Sequence, residues 1–256
     1  MICVCLLVGV AGAQAQAPIR NADPYRFIEW TGQDVTAFVK ALPTRRSLYV
    51  AAGMGGVVLL LARQDDDVTQ GAADLAAGTY RPLRTIANEI GNVDVVQPTA
   101  LMLFLGSMLS DHTQFQDAAF TSLEAILFAN LITDTLKGVV GRARPFQEEG
   151  TTMFRPFSGN TSFPSGHATT VFAFTTPWLV YYKNYRVLGL FLLGAGTAFT
   201  RMADKVHWFS DVIVGTAIGM TTGYLLSKRH QREAPRVTIR PVVAARQAGI
   251  TIRIRP

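Results

Sequence analysis

Apolar residues along the chain form six stretches with few charges, separated by polar and turn-forming segments. These stretches cover residues 47–62, 95–110, 118–137, 168–182, 187–200 and 212–227. Each is long enough for a helix, but each uncharged core is somewhat shorter than the about 20 apolar residues of an average membrane span. A helix that is apolar on all sides is buried either in a protein core or in a bilayer. The pattern therefore predicts six helices, and length alone does not distinguish membrane spans from a soluble bundle.

The segments outside these stretches have different patterns. Residues 18–46 are mixed and polar, which predicts an extended lead-in, and the segment after Arg63 up to about residue 92 has room for an amphipathic helix. The arginine-rich tail, 231–256, contains "VTIRPVV" and "ITIRIRP", whose alternation predicts a β-hairpin. The helical domain is thus expected to span residues 47–230.

The first 17 residues have the pattern of a secretory signal peptide. An apolar run is followed by Ala-x-Ala sites, although a short anchor helix is the alternative. Both cysteines, Cys3 and Cys5, lie in this segment, so cleavage would leave no thiol or disulfide chemistry. With six spans, the positive loops would place 138–167 and 201–211 on the outer face. A cleaved signal peptide would reverse that parity, so the two predictions compete.

Composition narrows the class of partner. Only 16% of the residues are charged, against about a quarter in ordinary soluble domains, and the mean hydropathy is +0.22. These values favour a membrane protein or a tightly packed helical one. The net charge of +6 favours anionic partners, such as phosphate groups or anionic lipid surfaces. Nucleic acid is disfavoured, because no basic stretch alternates with aromatic residues as in a stacking platform.

Three clusters carry the candidate chemistry: "KGVVGRARP" from residue 137, "FPSGHATT" from 163 and "TRMADKVHWFSD" from 200. Lys137, Arg144 and Arg201 supply three cations for the oxygens of a phosphate. A Pro-Ser-Gly turn before a helix presents free N–H groups and a positive dipole end to an anion. Ser165 would cap that helix and bond the phosphate, and Gly166 would let the backbone come close.

Two histidines would divide the proton and phosphate chemistry. His207 and Asp211 are four residues apart, which would place them on one helix face with the carboxylate accepting from Nδ1. His207 is then the candidate nucleophile, and Asp211 orients it. His167 would protonate the leaving oxygen and afterwards activate water.

Other polar residues are expected to have structural or surface roles. His112 and His230 match no motif and are assigned to loop or surface positions. The run of three aspartates from Asp65 is interpreted as a solvated helix start rather than a metal site. Trp208, beside the candidate nucleophile, is a candidate for the substrate entrance.

The order Lys-x6-Arg-Pro, Pro-Ser-Gly-His and Arg-x5-His-x3-Asp resembles the three-part signature of the type 2 phosphatidic acid phosphatase (PAP2) and vanadium haloperoxidase superfamily. The resemblance covers about residues 95–227, and it departs where Thr200 stands in place of the usual serine. It implies an all-α bundle that hydrolyses phosphate monoesters or diphosphates without a metal or other cofactor. Vanadate is then expected to inhibit as a phosphate mimic.

Together these observations predict an all-α six-helix phosphatase embedded in the bacterial envelope, with its site facing the periplasm. The expected substrates are lipid phosphates or diphosphates. The alternatives are a soluble periplasmic acid phosphatase acting on small esters, a vanadium haloperoxidase, and a non-catalytic lipid-binding protein. The oligomeric state and the particular lipid do not follow from the sequence.

Overall fold

The computed structural model describes residues 25–41, 44–78, 81–233, 237–244 and 247–254, and these ranges contain nine α-helices and one two-stranded sheet. The helices are α1 (Arg26–Ala41), α2 (Arg45–Leu61), α3 (Asp65–Ala77), α4 (Arg81–Ile90), α5 (Val93–Ser107), α6 (Thr113–Val140), α7 (Gly166–Tyr181), α8 (Tyr185–Ala203) and α9 (Phe209–Glu233). The strands are β1 (Val237–Ala244) and β2 (Gln247–Ile254). The predicted signal peptide and both cysteines lie outside the described residues.

The six predicted helices are α2, α5, α6, α7, α8 and α9, and the all-α class is confirmed. The prediction of an extended lead-in is wrong for residues 26–41, which form α1. The buried residues of α1 recur at helical spacing, at Phe27, Trp30 and Asp34. The segment is therefore an amphipathic helix, which its low average hydropathy did not indicate. The segment after Arg63 holds two helices, α3 and α4, where one was expected.

The core lies where α6, α7 and α9 pack together. Every residue of helix α7 from Ala168 to Trp178 is buried. The Trp178 ring stacks on the Tyr182 ring within the main hydrophobic cluster. A helix that is enclosed on all sides explains why its sequence shows apolar residues without an amphipathic stripe. Helix α7 is therefore the central helix of the bundle.

A row of glycines on α9 brings this helix against the α7 backbone. A Cβ on Gly215 would lie 2.4 Å from the Ser165 carbonyl oxygen, and one on Gly219 would lie 2.3 Å from that of Thr169. Both oxygens belong to the backbone of α7 or its N-cap and cannot shift without distorting it, so only glycine permits this approach. The contact fixes the start of α7 beside the start of α9.

Among the described residues, one helix is long and apolar enough to cross a bilayer, by length and composition only. This candidate span is Phe209–Arg232, and half of its most apolar window is buried inside the protein. Helix α5 is a shorter apolar helix. The other predicted spans form helices that do not meet the same criterion.

The tail forms the hairpin that its alternation predicted. Strands β1 and β2 are antiparallel, with a register that runs from Val237 opposite Ile254 to Ala244 opposite Gln247. The short connection between the two strands is typical of a hairpin.

Candidate active site

Three chain segments converge at one end of the bundle and bring the three sequence clusters together. The Ser165 N–H donates to the Asp211 carbonyl at 3.0 Å, joining the start of α7 to α9. The Ser162 N–H donates to the Arg142 carbonyl at 3.1 Å, joining the loop before α7 to the segment after α6. Motifs that are far apart in sequence thus share one backbone hydrogen-bond network.

The first turn of α7 forms the candidate anion cradle. Ser165 is the N-cap, and its hydroxyl accepts from the Ala168 N–H at 3.5 Å. A Cβ on Gly166 would lie 3.0 Å from Lys137 Nζ, so the ammonium group lies directly against the helix start. Cation, helix dipole and N–H groups of Gly166 and His167 therefore favour the same bound anion.

The two arginines of the predicted set come from different elements. Arg144 lies in the extended segment after α6, where its Nη2 donates to Thr161 Oγ1 at 3.1 Å. Arg201 lies in the last turn of α8, and its Nη2 donates to the Asn88 side-chain oxygen. Arg201 Nε is buried and has no hydrogen-bond partner within the part of the chain that the structure covers. This donor is therefore available for a phosphate oxygen.

His207 lies in the turn before α9, not on the helix as predicted. Its Nδ1 is 2.7 Å from the Ser162 carbonyl oxygen, which can only accept, so Nδ1 carries the proton and Nε2 has the free lone pair. Asp211 Oδ2 lies 3.9 Å from Nδ1, which allows an electrostatic interaction but is too long for the predicted hydrogen bond. The backbone carbonyl takes the place that the sequence analysis gave to the carboxylate.

Asp211 holds the turn around His207 in place. Its Oδ2 accepts from Ser162 Oγ at 2.5 Å and from the Trp208 N–H at 2.9 Å. Ser162 therefore joins the two residues: its side chain binds Asp211 and its carbonyl binds His207. Asp211 thus orients the histidine through hydrogen bonds of Ser162 rather than through a direct hydrogen bond.

A buried ion-pair network supports this arrangement, and sequence reasoning missed it. Arg142 is fully buried, and its Nη1 donates to Asp211 Oδ1 at 2.6 Å while its Nη2 donates to Asp65 Oδ2 at 2.6 Å. Asp65 also accepts from the Ser210 N–H and hydroxyl, each at 2.7 Å. The prediction of a solvated aspartate run was wrong for Asp65, which is fully buried at the start of α3.

Burial, assisted by nearby positive charges, lowers the pKa of both histidines of the site. Burial lowers the pKa of His167 to about 4, assisted by the charges of Arg201, Lys137 and Arg144 and by the His207 ring. Burial also lowers the pKa of His207, although the Asp211 carboxylate acts in the opposite direction. A neutral His207 retains its Nε2 lone pair at neutral pH, as a nucleophile requires.

Comparison with known proteins agrees with this geometry. Residues 118–235 match the sequence model of the PAP2 superfamily. This segment is similar to the PAP2 superfamily. The matched segment contains all three clusters and with them the candidate site residues Lys137, Arg144, His167, Arg201, His207 and Asp211.

Individual PAP2 relatives match parts of the chain. The lipid A 1-phosphatase of Rhizobium johnstonii is 40% identical over 99 residues, which are 37% of this chain and 40% of that protein. This chain thus spans about two-fifths of the length of that curated relative. The crystal structure of Aquifex aeolicus LpxE superposes with a TM-score of 0.50 at 20% identity, covering 64% of this chain and 94% of that one. The PAP2-type phosphatidylglycerolphosphate phosphatase of Bacillus subtilis gives 0.54 at 17% identity, covering 71% and 96%. Both structures support the PAP2 fold.

The structure contradicts the predicted positions of Trp208 and His230 and agrees with that of His112. Trp208 is buried, and its indole N–H donates to the Ala143 carbonyl at 2.9 Å, so it packs the loop and does not line an entrance. His230 is fully buried, which contradicts its assignment to a loop or the surface. His112 is exposed at the start of α6, in agreement with its assignment.

Proposed function

We propose that this protein is a phosphatase that hydrolyses lipid phosphate monoesters or diphosphates through a phosphohistidine on His207, without a metal in the site. The observation that carries the proposal is the fixed tautomer of His207. Its Nδ1–H is held by the Ser162 carbonyl, so the Nε2 lone pair belongs to a buried ring whose pKa is lowered, beside His167 and the three cations that act on it.

The reaction follows from this arrangement in two steps. Binding of the phosphate dianion first allows His167 to take up a proton. In the first step, Nε2 of His207 then attacks phosphorus, the bond to the ester oxygen breaks, and that oxygen takes this proton from His167. In the second, His167 accepts a proton from water as the water oxygen attacks phosphorus and the nitrogen–phosphorus bond breaks. Lys137, Arg144 and Arg201 stabilise the phosphate oxygens in both transition states.

The proposal places the protein in a membrane with its site at the outer face. Helix α9 meets the criterion for a span and begins two residues after His207. Apolar side chains on α5 and α6 are exposed, and these include Leu101, Met102, Leu105, Leu127 and Leu131. An apolar surface on the bundle that carries the phosphate site suits a substrate whose acyl or prenyl tail stays in the bilayer. The curated relative from Rhizobium johnstonii supports lipid A phosphate as one candidate.

Phosphate release across a substrate panel tests this function. In EDTA, the purified protein in detergent should hydrolyse at least one of lipid A, phosphatidate, phosphatidylglycerophosphate and undecaprenyl diphosphate faster than p-nitrophenyl phosphate. The exposed His112→Gln variant should behave like the unaltered protein. Turnover of the small ester alone would favour the soluble acid phosphatase.

The depressed pKa of His167 predicts that anion binding takes up a proton. The free site holds His167 neutral above about pH 4, whereas a bound dianion offsets the nearby positive charges and raises this pKa. Sulfate does not titrate between pH 5 and 7, so its binding should be tighter at the lower pH. Calorimetry in two buffers of different ionisation enthalpy should show uptake of part of a proton.

The matched variants for this measurement are His167→Gln and His112→Gln. Proton uptake should disappear in the first and persist in the second. Equal uptake in His167→Gln would assign the proton to another group and remove His167 from its proposed role as the acid.

A further inference from the structure

A second cluster of ionisable residues is buried at the other end of the bundle. It consists of Asp34 on α1, Glu124 on α6 and His230 on α9, all of which are buried. Asp211 and His230 lie on the same helix, 19 residues apart by their numbers, which corresponds to roughly 28 Å along its axis. The cluster is therefore separate from the candidate active site, and the proposed phosphatase mechanism does not use it.

The three side chains point their polar atoms at one another. His230 Nε2 lies 2.7 Å from Asp34 Oδ2 and 3.4 Å from Glu124 Oε2. One potential ligand atom from each residue lies within 4.8 Å of the other two. An ion about 2.0–2.2 Å from each atom would need only small side-chain adjustments.

The tautomer of His230 is set by its other nitrogen. Nδ1 is 2.8 Å from Thr121 Oγ1, and that hydroxyl donates its own proton to the Asp117 carbonyl at 2.6 Å. Thr121 must therefore accept from Nδ1–H, so Nε2 is the nitrogen that faces the two carboxylates and is the one placed to bind an ion. Such an outer hydrogen bond is the usual way in which a metal-binding histidine is oriented.

Glu124 provides an independent indication of a missing cation. It is 4% exposed, and neither of its carboxylate oxygens has a hydrogen bond among the residues whose placement is given. A proton shared between His230 and Asp34 would leave Glu124 unsatisfied, whereas a proton on Glu124 could be shared with Asp34 but would leave His230 Nε2 facing them without one. A metal ion would satisfy all three acceptors at once.

We propose that Asp34, Glu124 and His230 bind one divalent transition-metal ion of the zinc type. Imidazole nitrogen and carboxylate oxygen are both zinc ligands, and the two carboxylates supply negative charge for a divalent ion. Arg229 Nη1, 3.0 Å from Asp34 Oδ1, holds the second oxygen of that carboxylate. Trp30 stacks on the His230 ring at a centroid distance of 4.2 Å and shields one side of the site.

The ion would have a structural role, because its ligands come from three helices. Helix α1 precedes the segment that matches the PAP2 superfamily, and the ion would attach it to α6 and α9. Bound metal would therefore raise the unfolding temperature without contributing to phosphate chemistry.

Zinc titration of the full-length protein tests this site. After removal of metal with EDTA and dialysis, calorimetry and elemental analysis should give one Zn²⁺ per chain and an increase in Tm. Glu124→Gln should weaken Zn²⁺ binding by more than about 100-fold, and Thr121→Val, which removes the outer hydrogen bond, by about 10–100-fold. Co²⁺ should give d–d absorption bands in the unaltered protein that are lost in Glu124→Gln.

The controls separate loss of binding from loss of fold. Glu124→Gln removes a buried carboxylate without a hydrogen-bond partner, so its metal-free Tm should be no lower than that of the unaltered protein. His112→Gln should bind Zn²⁺ normally. Absence of stoichiometric Zn²⁺ binding, or equal binding by Glu124→Gln, would overturn the proposal and leave a proton-sharing cluster. Phosphatase turnover in EDTA is a separate measurement, so either proposal can fail alone.

Discussion

His207→Asn should lower kcat for phosphate release by at least about 10⁴-fold, because the substitution removes the Nε2 nucleophile. The asparagine amide can still donate to the Ser162 carbonyl that now accepts from Nδ1, so the turn before α9 should keep its conformation. The phosphate-binding cations are unchanged, and sulfate affinity should remain within a few-fold of its original value. Rapid-quench kinetics with a radiolabelled substrate would measure the chemical step directly.

The same experiment should trap the intermediate in the unaltered protein. A phosphohistidine is labile in acid and stable in alkali, so the label should remain with the protein at high pH and be lost at low pH. His112→Gln should trap as much label as the unaltered protein. A substantial residual kcat in His207→Asn, or label of the opposite stability, would contradict nucleophilic catalysis by His207.

Arg142→Met should destabilise the protein strongly. The guanidinium pairs with Asp65 and Asp211, all three groups are fully buried, and its removal leaves two carboxylates without their cation. Breaking a buried pair in this way costs about 3–5 kcal/mol. For a chain of this size the loss corresponds to a decrease in Tm of roughly 10 °C. Differential scanning fluorimetry in detergent would measure it.

Two further variants distinguish a general loss of stability from loss of positioning. Arg155→Met removes a half-exposed ion pair with Glu149 in the same loop and should cost less than about 1 kcal/mol. Arg142→Lys keeps the charge but cannot bridge two carboxylates, so it should lower kcat more than it raises KM. A fully active Arg142→Met variant with unchanged Tm would show that Asp211 does not depend on this network.

The sequence predicted the helices and the PAP2 signature because both depend on local pattern. Apolar runs specify α6, α7 and α9, and motif spacing identifies Lys137 and His207. Helix α1 was not predicted because only three of its residues, Phe27, Trp30 and Asp34, are buried. So narrow a stripe hardly changes the average hydropathy of the segment. The hairpin was predicted because alternation is also a local property.

The supporting residues of the site could not be predicted in the same way, because their roles depend on distant contacts. Asp65 looks like any acidic residue at a helix start until the fold places it against Arg142. Ser162 has no motif position, and its role exists only because its side chain and carbonyl face two different partners. The one available signal was Arg142 itself, a third basic residue within the first cluster that the signature spacing does not use.

The burial of Asp65 also defines where the functional unit begins. The region that matches the PAP2 superfamily starts at residue 118, yet the carboxylate that completes the coordination of Arg142 lies more than 50 positions earlier in the chain. A fragment cut at the boundary of sequence similarity would contain every signature residue and still leave Arg142 Nη2 without its carboxylate. In this protein the unit of homology is therefore smaller than the unit of folding, and a minimal enzyme has to retain α3.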